Sequence, residues 1–287
     1  MIKADLHAHH SFVGLDRKSL LIEKIERRIG VEKKPSLKNI IKQIEKTDLD
    51  LVAITSCSDC QDIDRRWDAV ISNIKNCEED YEISLERDNR YLSVKNKDSK
   101  RIYLFHGQEF KTDKWDVNVL FAETMIPIVK SKGKFEYLIE ASKDCGDNVI
   151  VTIPHPARGI RLLDDSAKKL LIKLYEERRI DAIEGHDALE INKNNENSKY
   201  LAGELKMPYI AVSDSHCLND TGRAYTEFEI DKWKDYGGII KEIGEKIRKK
   251  EFSVFEGRCP QTSRMRYIAK AMEAKFRDSM PFEFMKL

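Results

Sequence analysis

The chain has 287 residues, and 51 Lys plus Arg nearly cancel 50 Asp plus Glu, for a formal net charge of +1. That balance excludes electrostatic attraction of the whole molecule to nucleic acid or an anionic membrane, though not a local basic patch. At 41% hydrophobic content the chain can fill one large core, and its six cysteines are too few for a disulfide framework at this length.

In chain order, residues 2–6 read as a short buried strand running into Asp5-Leu6-His7-Ala8-His9. A strand places residues i and i+2 on one face, so His7 and His9 point the same way, and paired neutral imidazoles are good ligands for zinc, iron or manganese-like ions. Neither a basic segment followed by an apolar one nor a long apolar run is present, so the expected setting is a reduced, soluble, cytoplasmic protein with no membrane partner. Leu37, Ile40, Ile41 and Ile44 form a helical stripe. Residues 50–55 are a second strand, followed by Ser56, Cys57, Ser58 and Asp59. Cys57 and Cys60 make one C-x-x-C with no second pair, which is weak support for a zinc knuckle. Residues 79–101 are polar and read as a hairpin insertion, with Tyr91 to Val94 pairing with 101–105 around Asn96 to Ser99.

Further strands are expected at 102–106, before Gly107, Gln108 and Glu109; at 116–121, containing Asn118; at 148–153, before Pro154-His155-Pro156-Ala157-Arg158; at 180–184, before His186 and Asp187; and at 208–213, before Asp214, Ser215 and His216. Their Ile- and Val-rich runs suit strands buried on both faces of a parallel sheet. Helical stripes occur at Leu163, Ala167, Leu170, Leu171 and Leu174, and at Met265, Ile268, Ala269, Met272 and Phe276. Repeated βα units imply an α/β barrel or an open doubly wound sheet. In a parallel barrel all C-terminal strand ends meet on one face, and His7, His9, His155, His186 and His216 all fall at such ends. Imidazoles and carboxylates gathered there suit two or more divalent ions.

Asp5-Leu6-His7-Ala8-His9, Leu51-Val52-Ala53-Ile54-Thr55, Gly107-Gln108-Glu109, Ile153-Pro154-His155-Pro156-Ala157-Arg158, Ile183-Glu184 and Ser213-Asp214-Ser215-His216 follow one another in order. Together they resemble the ordered motifs of the polymerase and histidinol phosphatase (PHP) superfamily. The resemblance implies one domain over 1–287, a distorted (β/α)7 TIM-like barrel, with residues 235–287 forming C-terminal helices packed on it. It implies up to three divalent metal ions (Zn, Mn or Fe) and hydrolysis of a phosphoester bond by a metal-bound hydroxide. The substrate class would be a phosphomonoester, a nucleotide or a nucleic-acid end. Carried over by residue, one metal takes His7, His9, Glu109 and Asp214, Glu109 bridges to a second that takes His155, and a third takes His216. Glu109 and Asp214 are thereby the catalytic candidates, and Arg158 matches a position suited to substrate phosphate.

The chain departs from that pattern twice. Ser56-Cys57 stands where the family usually has Asp-His, and Asn118 where it usually has His. The first removes a ligand of the third metal unless the Cys57 thiolate substitutes, with Asp16 the nearest match for the remaining one. The second weakens the second site, since an amide oxygen binds such ions less well than imidazole. One or two bound ions are therefore expected. The alternative is a degenerate, non-hydrolytic barrel that binds a ligand or partner through the same mouth. Cys57 and Asn118 support it, and the joint retention of the six other ligands opposes it. His186 and Asp187 read as helix-cap or substrate-contact residues, His10 as a lid or surface residue, and His106 as structural. Lys246, Arg248, Lys249 and Lys250 read as a solvated helix terminus, with nucleic-acid contact the sharper option. The expected partner is a phosphorylated small molecule or nucleotide.

Overall fold

The computed structural model describes residues 1–9, 36–57, 63–86, 90–126, 133–158, 165–231 and 235–265. β1 (Ile2–Ala8) and β2 (Leu51–Cys57) are followed by a hairpin, β3 (Glu82–Glu86) and β4 (Tyr91–Lys95). Then come β5 (Arg101–Phe110), β6 (Val117–Leu120), β7 (Ile150–Ile153), β8 (Ala182–Asp187), β9 (Tyr209–Val212), β10 (Tyr225–Phe228) and β11 (Ser253–Phe255). The helices are α1 (Leu37–Lys46), α2 (Ile63–Ser72), α3 (Phe135–Lys143), α4 (Asp165–Glu176), α5 (Asn192–Leu205) and α6 (Tyr236–Lys249).

The seven strands expected from the sequence are β1, β2, β5, β6, β7, β8 and β9, and they are neighbours in that order. They form the wall of a distorted, nearly closed barrel. β10 pairs antiparallel with Ile2 to Ala4 at one end of β1, and Thr226 Oγ1 bonds both the amide and the carbonyl of Ala211 on β9. β10 therefore wedges the two barrel edges apart at that end. At the other end the edges meet. Ala8 bridges Ser215, Asp214 N donates to His7 O (2.9 Å), and His9 N donates to Ser215 O (2.8 Å). Asp5 clasps this seam by accepting from Ser213 N and Gly222 N, each at 3.0 Å.

Two details differ from the expectation of an all-parallel barrel. β6 runs antiparallel to both β5 and β7. Only a short stretch separates β5 from β6, too short for a crossover helix, so the chain must fold back as a hairpin. β8 extends to Asp187, which puts His186 and Asp187 within the strand and not after it. The polar segment after α2 supplies β3 and β4, and β4 runs antiparallel to β5. Asn96 Oδ1 accepts from the amides of Asp98 (3.0 Å) and Lys100 (2.9 Å) to make the turn between them.

Strand alternation sets the two faces. Val52, Ile54, Ile102 and Leu104 pack outward against the α1 stripe of Leu37, Ile40, Ile41 and Ile44 and against Trp67 of α2. Ser36 caps α1 by accepting from Asn39 N. Leu51, Ala53, Tyr103 and Phe105 face inward, where Ile239, Ile240, Ile243 and Ile247 of α6 close the far end of the barrel. Burying each such isoleucine contributes about 1.5–3 kcal/mol, so α6 is held by its apolar stripe. α3, α4 and α5 cover β6 to β8. Of the predicted helical stripes, Leu163 and everything after Met265 lie outside the described residues. The basic run ends α6, where Arg248 Nε meets Asp181 Oδ1 (2.8 Å) and Lys250 Nζ meets Lys206 O (2.8 Å). No helix among the described residues is long and apolar enough to cross a membrane.

Candidate metal centre

Local irregularities in two strands aim the site. Ala4, Asp5 and Ala8 of β1 stand opposite Leu51, Val52 and Ile54 of β2, so β1 carries one extra residue between Asp5 and Ala8. Leu6 faces the barrel interior and Ala8 the outer layer. In an unbroken strand His7 would follow Asp5 to the outside; the bulge turns it inward beside His9. β8 has a similar slip between Glu184 and His186. Gly107 of β5 leaves the room beneath. A Cβ there would lie 2.9 Å from Thr55 Cγ2 and 3.0 Å from Leu120 Cδ2. His155 (φ 32°) and Asp214 (φ 44°) adopt left-handed backbone that side chains larger than glycine rarely take, so surrounding contacts hold them there.

The histidine protons follow from their partners. His9 Nδ1 lies 2.9 Å from the carbonyl oxygen of Thr55, which only accepts, so Nδ1 carries the proton. His7 Nδ1 lies 2.8 Å from Glu184 Oε1 and donates to that carboxylate. In the neutral tautomers both Nε2 atoms are then left with lone pairs, and they stand 2.8 Å apart. Two buried lone pairs at that distance repel unless a shared proton or a bound metal cation lies between them. Asp214 Oδ1 lies 3.7 Å from His7 Nε2 and 3.4 Å from His9 Nε2, and Glu109 Oε2 lies 3.2 Å from His9 Nε2. Two imidazole nitrogens and two carboxylate oxygens converging in a buried spot fit a divalent ion.

The remaining residues build outward from this point. Glu109 Oε1 lies 3.3 Å from His155 Nε2, so Glu109 reaches both His9 and His155 with its two oxygens. The other side chains expected beside His216 lie outside what the structure describes, and among the described residues His216 faces Asp214 and His9. Its Nε2 is 3.4 Å from the same Asp214 Oδ1, and its ring stacks on His9 with centroids 4.7 Å apart. The backbone of Cys57 is paired with that of Glu109; its side chain, and His10, Asp16 and Cys60, lie outside what the structure describes. Arg158 stands at the edge of the cluster with 28% of its side chain exposed. It donates to Asp214 Oδ2 (2.6 Å) and Asp187 Oδ2 (3.0 Å) and pairs with Glu190.

The charges here are mutually dependent. Burial disfavours the His7 imidazolium, but the carboxylates of Glu184 and Asp214 outweigh it and hold the group well above its usual range. Burial likewise opposes ionisation of Glu109 and Asp214, yet the histidines around Glu109, and Arg158 and His7 beside Asp214, hold both carboxyls well below theirs. The site thus draws positive charge onto itself. Burial first, then the Asp214 carboxylate, pushes the Asp187 carboxyl well up.

Sequence reasoning gave no role to Glu184, Asp116 or Glu190. Glu184 ties three parts together, accepting from His7, from Asn118 Nδ2 (3.0 Å) and from the His155 amide (3.2 Å). Asp116 lies 4.0 Å from His155 Nε2. The two-residue period that pairs His7 with His9 also relates Asp116 to Asn118, so that signal was present. Asp187 holds Arg158 and accepts from the Leu189 amide (2.7 Å). His186 instead bonds Gly257 O (2.7 Å), and His106 stacks on Trp67 (centroids 5.4 Å), both away from the cluster.

Residues 192–248, which carry Asp214 and His216, match the family model described as PHP-associated. Over that segment the chain is similar to PHP-associated proteins. No curated protein matches it in sequence. Among solved structures it is similar to PsfC from Pseudomonas syringae, with a TM-score of 0.57 and 15% identity over 96% of this chain and 98% of that one, a likeness of fold. A provisional metal-dependent phosphoesterase from Bifidobacterium adolescentis aligns over 75% of this chain and 88% of its own, with a TM-score of 0.42 and 12% identity. Among the described residues two His, Asp and Glu clusters, His7–His9–Asp214 and Glu109–Asp116–His155, are compatible with divalent metals.

Proposed function

We propose that this protein is a PHP-type metal-dependent phosphoesterase acting on a phosphorylated small molecule or a nucleotide. The observation that carries the reading is the pair of Nε2 lone pairs of His7 and His9, fixed 2.8 Å apart by Glu184 and the Thr55 carbonyl, with a guanidinium alongside. His7, His9, Asp214 and Glu109 would hold the ion, and Glu109 would share it with His155. A divalent ion bound there supplies Lewis acidity toward a phosphoryl oxygen and makes a coordinated water more acidic.

The protein's own groups do the rest. Glu184 and Thr55 fix the tautomers, so no imidazole must turn before an ion is bound. Arg158 divides Asp214, taking Oδ2 while Oδ1 faces the imidazoles. Its guanidinium would place a fixed positive charge beside the non-bridging oxygens of a phosphate. Asp187 and Glu190 keep that fork at the edge of the site. The near-zero net charge of the chain favours a small phosphorylated substrate over a long polyanion.

The test is a panel of p-nitrophenyl phosphate, nucleoside monophosphates, a phosphodiester and single-stranded DNA, with manganese, zinc and iron supplied separately. Release of phosphate or nucleotide that a chelator stops is the expected result. Asp214→Ala should lower turnover by orders of magnitude while the protein still melts cooperatively. Failure on every substrate with every metal would favour the non-hydrolytic, ligand-binding barrel.

A further inference from the structure

The strand that departs from the family pattern carries its own replacement. Asn118 is fully buried, and its amide is used to support Glu184, the partner of His7. Because β6 runs antiparallel to its neighbours, its N-terminal side rises toward the mouth. Two residues back along that side is Asp116, about 7 Å further up by strand geometry. Its Oδ2 lies 4.0 Å from His155 Nε2, which is itself 3.3 Å from Glu109 Oε1. One donor atom from each of Glu109, Asp116 and His155 lies within 4.8 Å of the other two. Asp116 retains 25% side-chain exposure, so this cluster opens toward solvent while His7, His9 and Asp214 are closed in.

We infer that Asp116 takes over as a metal ligand from the imidazole missing at position 118, and that the change makes the two centres chemically unlike. The inference rests on the metal-dependent reading above. The inner centre offers the imidazoles of His7 and His9 with Asp214, a nitrogen-rich set suited to zinc. The outer centre offers two carboxylates, Glu109 and Asp116, with the single imidazole of His155. An oxygen-rich, partly open set of this kind suits manganese, which accepts carboxylate and water ligands readily. Glu109 belongs to both, one oxygen toward each, so filling the inner centre fixes the orientation of a ligand of the outer one.

The test uses the full chain, stripped with chelator and dialysed against equal zinc and manganese. Metal content is read by elemental analysis, manganese by electron paramagnetic resonance, and positions by anomalous diffraction at both absorption edges. The parent should hold zinc between His7 and His9 and manganese among Glu109, Asp116 and His155. Asp116→Asn should lose manganese affinity by ~10-fold or more and keep its zinc. Asp116→His should change the outer ion from manganese to zinc. Manganese found beyond bonding distance of the Asp116 carboxylate, zinc filling both centres of the parent, or Asp116→Asn retaining manganese as the parent does would each overturn the inference and leave the inner centre standing. A parent that retains neither metal would sink the inference and the proposed function together. Should Asp116→Asn fail to fold, the parent's anomalous map and Asp116→His decide.

Discussion

Replacing Glu184 by Gln keeps the shape of the side chain and removes its charge. In the parent one carboxylate oxygen accepts from His7 Nδ1 and Asn118 Nδ2, and the other from the His155 amide. A glutamine can satisfy only part of this arrangement. With its oxygen toward His7 and Asn118, its NH2 faces the His155 N–H, donor against donor. Turned over, its NH2 faces His7 Nδ1, which must then give up its proton and carry one on Nε2, where the ligand lone pair was. The first arrangement leaves a buried donor unmet, which costs about 1–3 kcal/mol of stability. The second disables a ligand, and loss of such a supporting partner lowers metal affinity by ~10- to 100-fold, about 1.4–2.7 kcal/mol. We expect Glu184→Gln to show both effects in part. Competition for zinc against a chromogenic chelator reads the affinity, and thermal unfolding of the metal-stripped protein reads the stability. Zinc affinity within about two-fold of the parent would refute the argument that Glu184 sets the His7 tautomer.

His106 is buried against Trp67, and burial, with Arg90 nearby, lowers its pKa to about 3 from an ordinary 6.5. The unfolded chain therefore takes up this proton first, so stability falls as pH drops below 6.5 and levels off near 3, by at most about 5 kcal/mol. His106→Phe should melt with a flatter pH profile over that window; an unchanged slope would show that His106 does not contribute to it. Gly107→Val should lower the urea midpoint by an amount equivalent to about 1–3 kcal/mol, because the new side chain meets Thr55 and Leu120 on the two neighbouring strands. His7→Ala combined with His9→Ala should remove most of the zinc bound by the purified protein, and elemental analysis showing equal zinc in both would contradict the ligand assignment.

The seven barrel strands were legible because each is an apolar run of the right length between polar segments, and that signal is local. The pairing of His7 with His9 was legible for the same reason, since a two-residue period is a property of the chain alone. Their phase was not: whether both face the interior or the outer layer depends on a bulge, which exists only against β2. The direction of β6 follows from the short connection before it, a length visible in the sequence whose consequence appears only once β5 is placed. Glu184, Asp116 and Glu190 were hidden for a different reason. A carboxylate acquires a role from the donor or cation opposite it, and their partners His7, His155 and Arg158 are distant in sequence. Residue types and short-range periods thus determined which elements form and which imidazoles travel together. Packing of the closed barrel decided which carboxylates meet them, which tautomers they carry, and that Asn118 serves Glu184 while Asp116 stands beside His155.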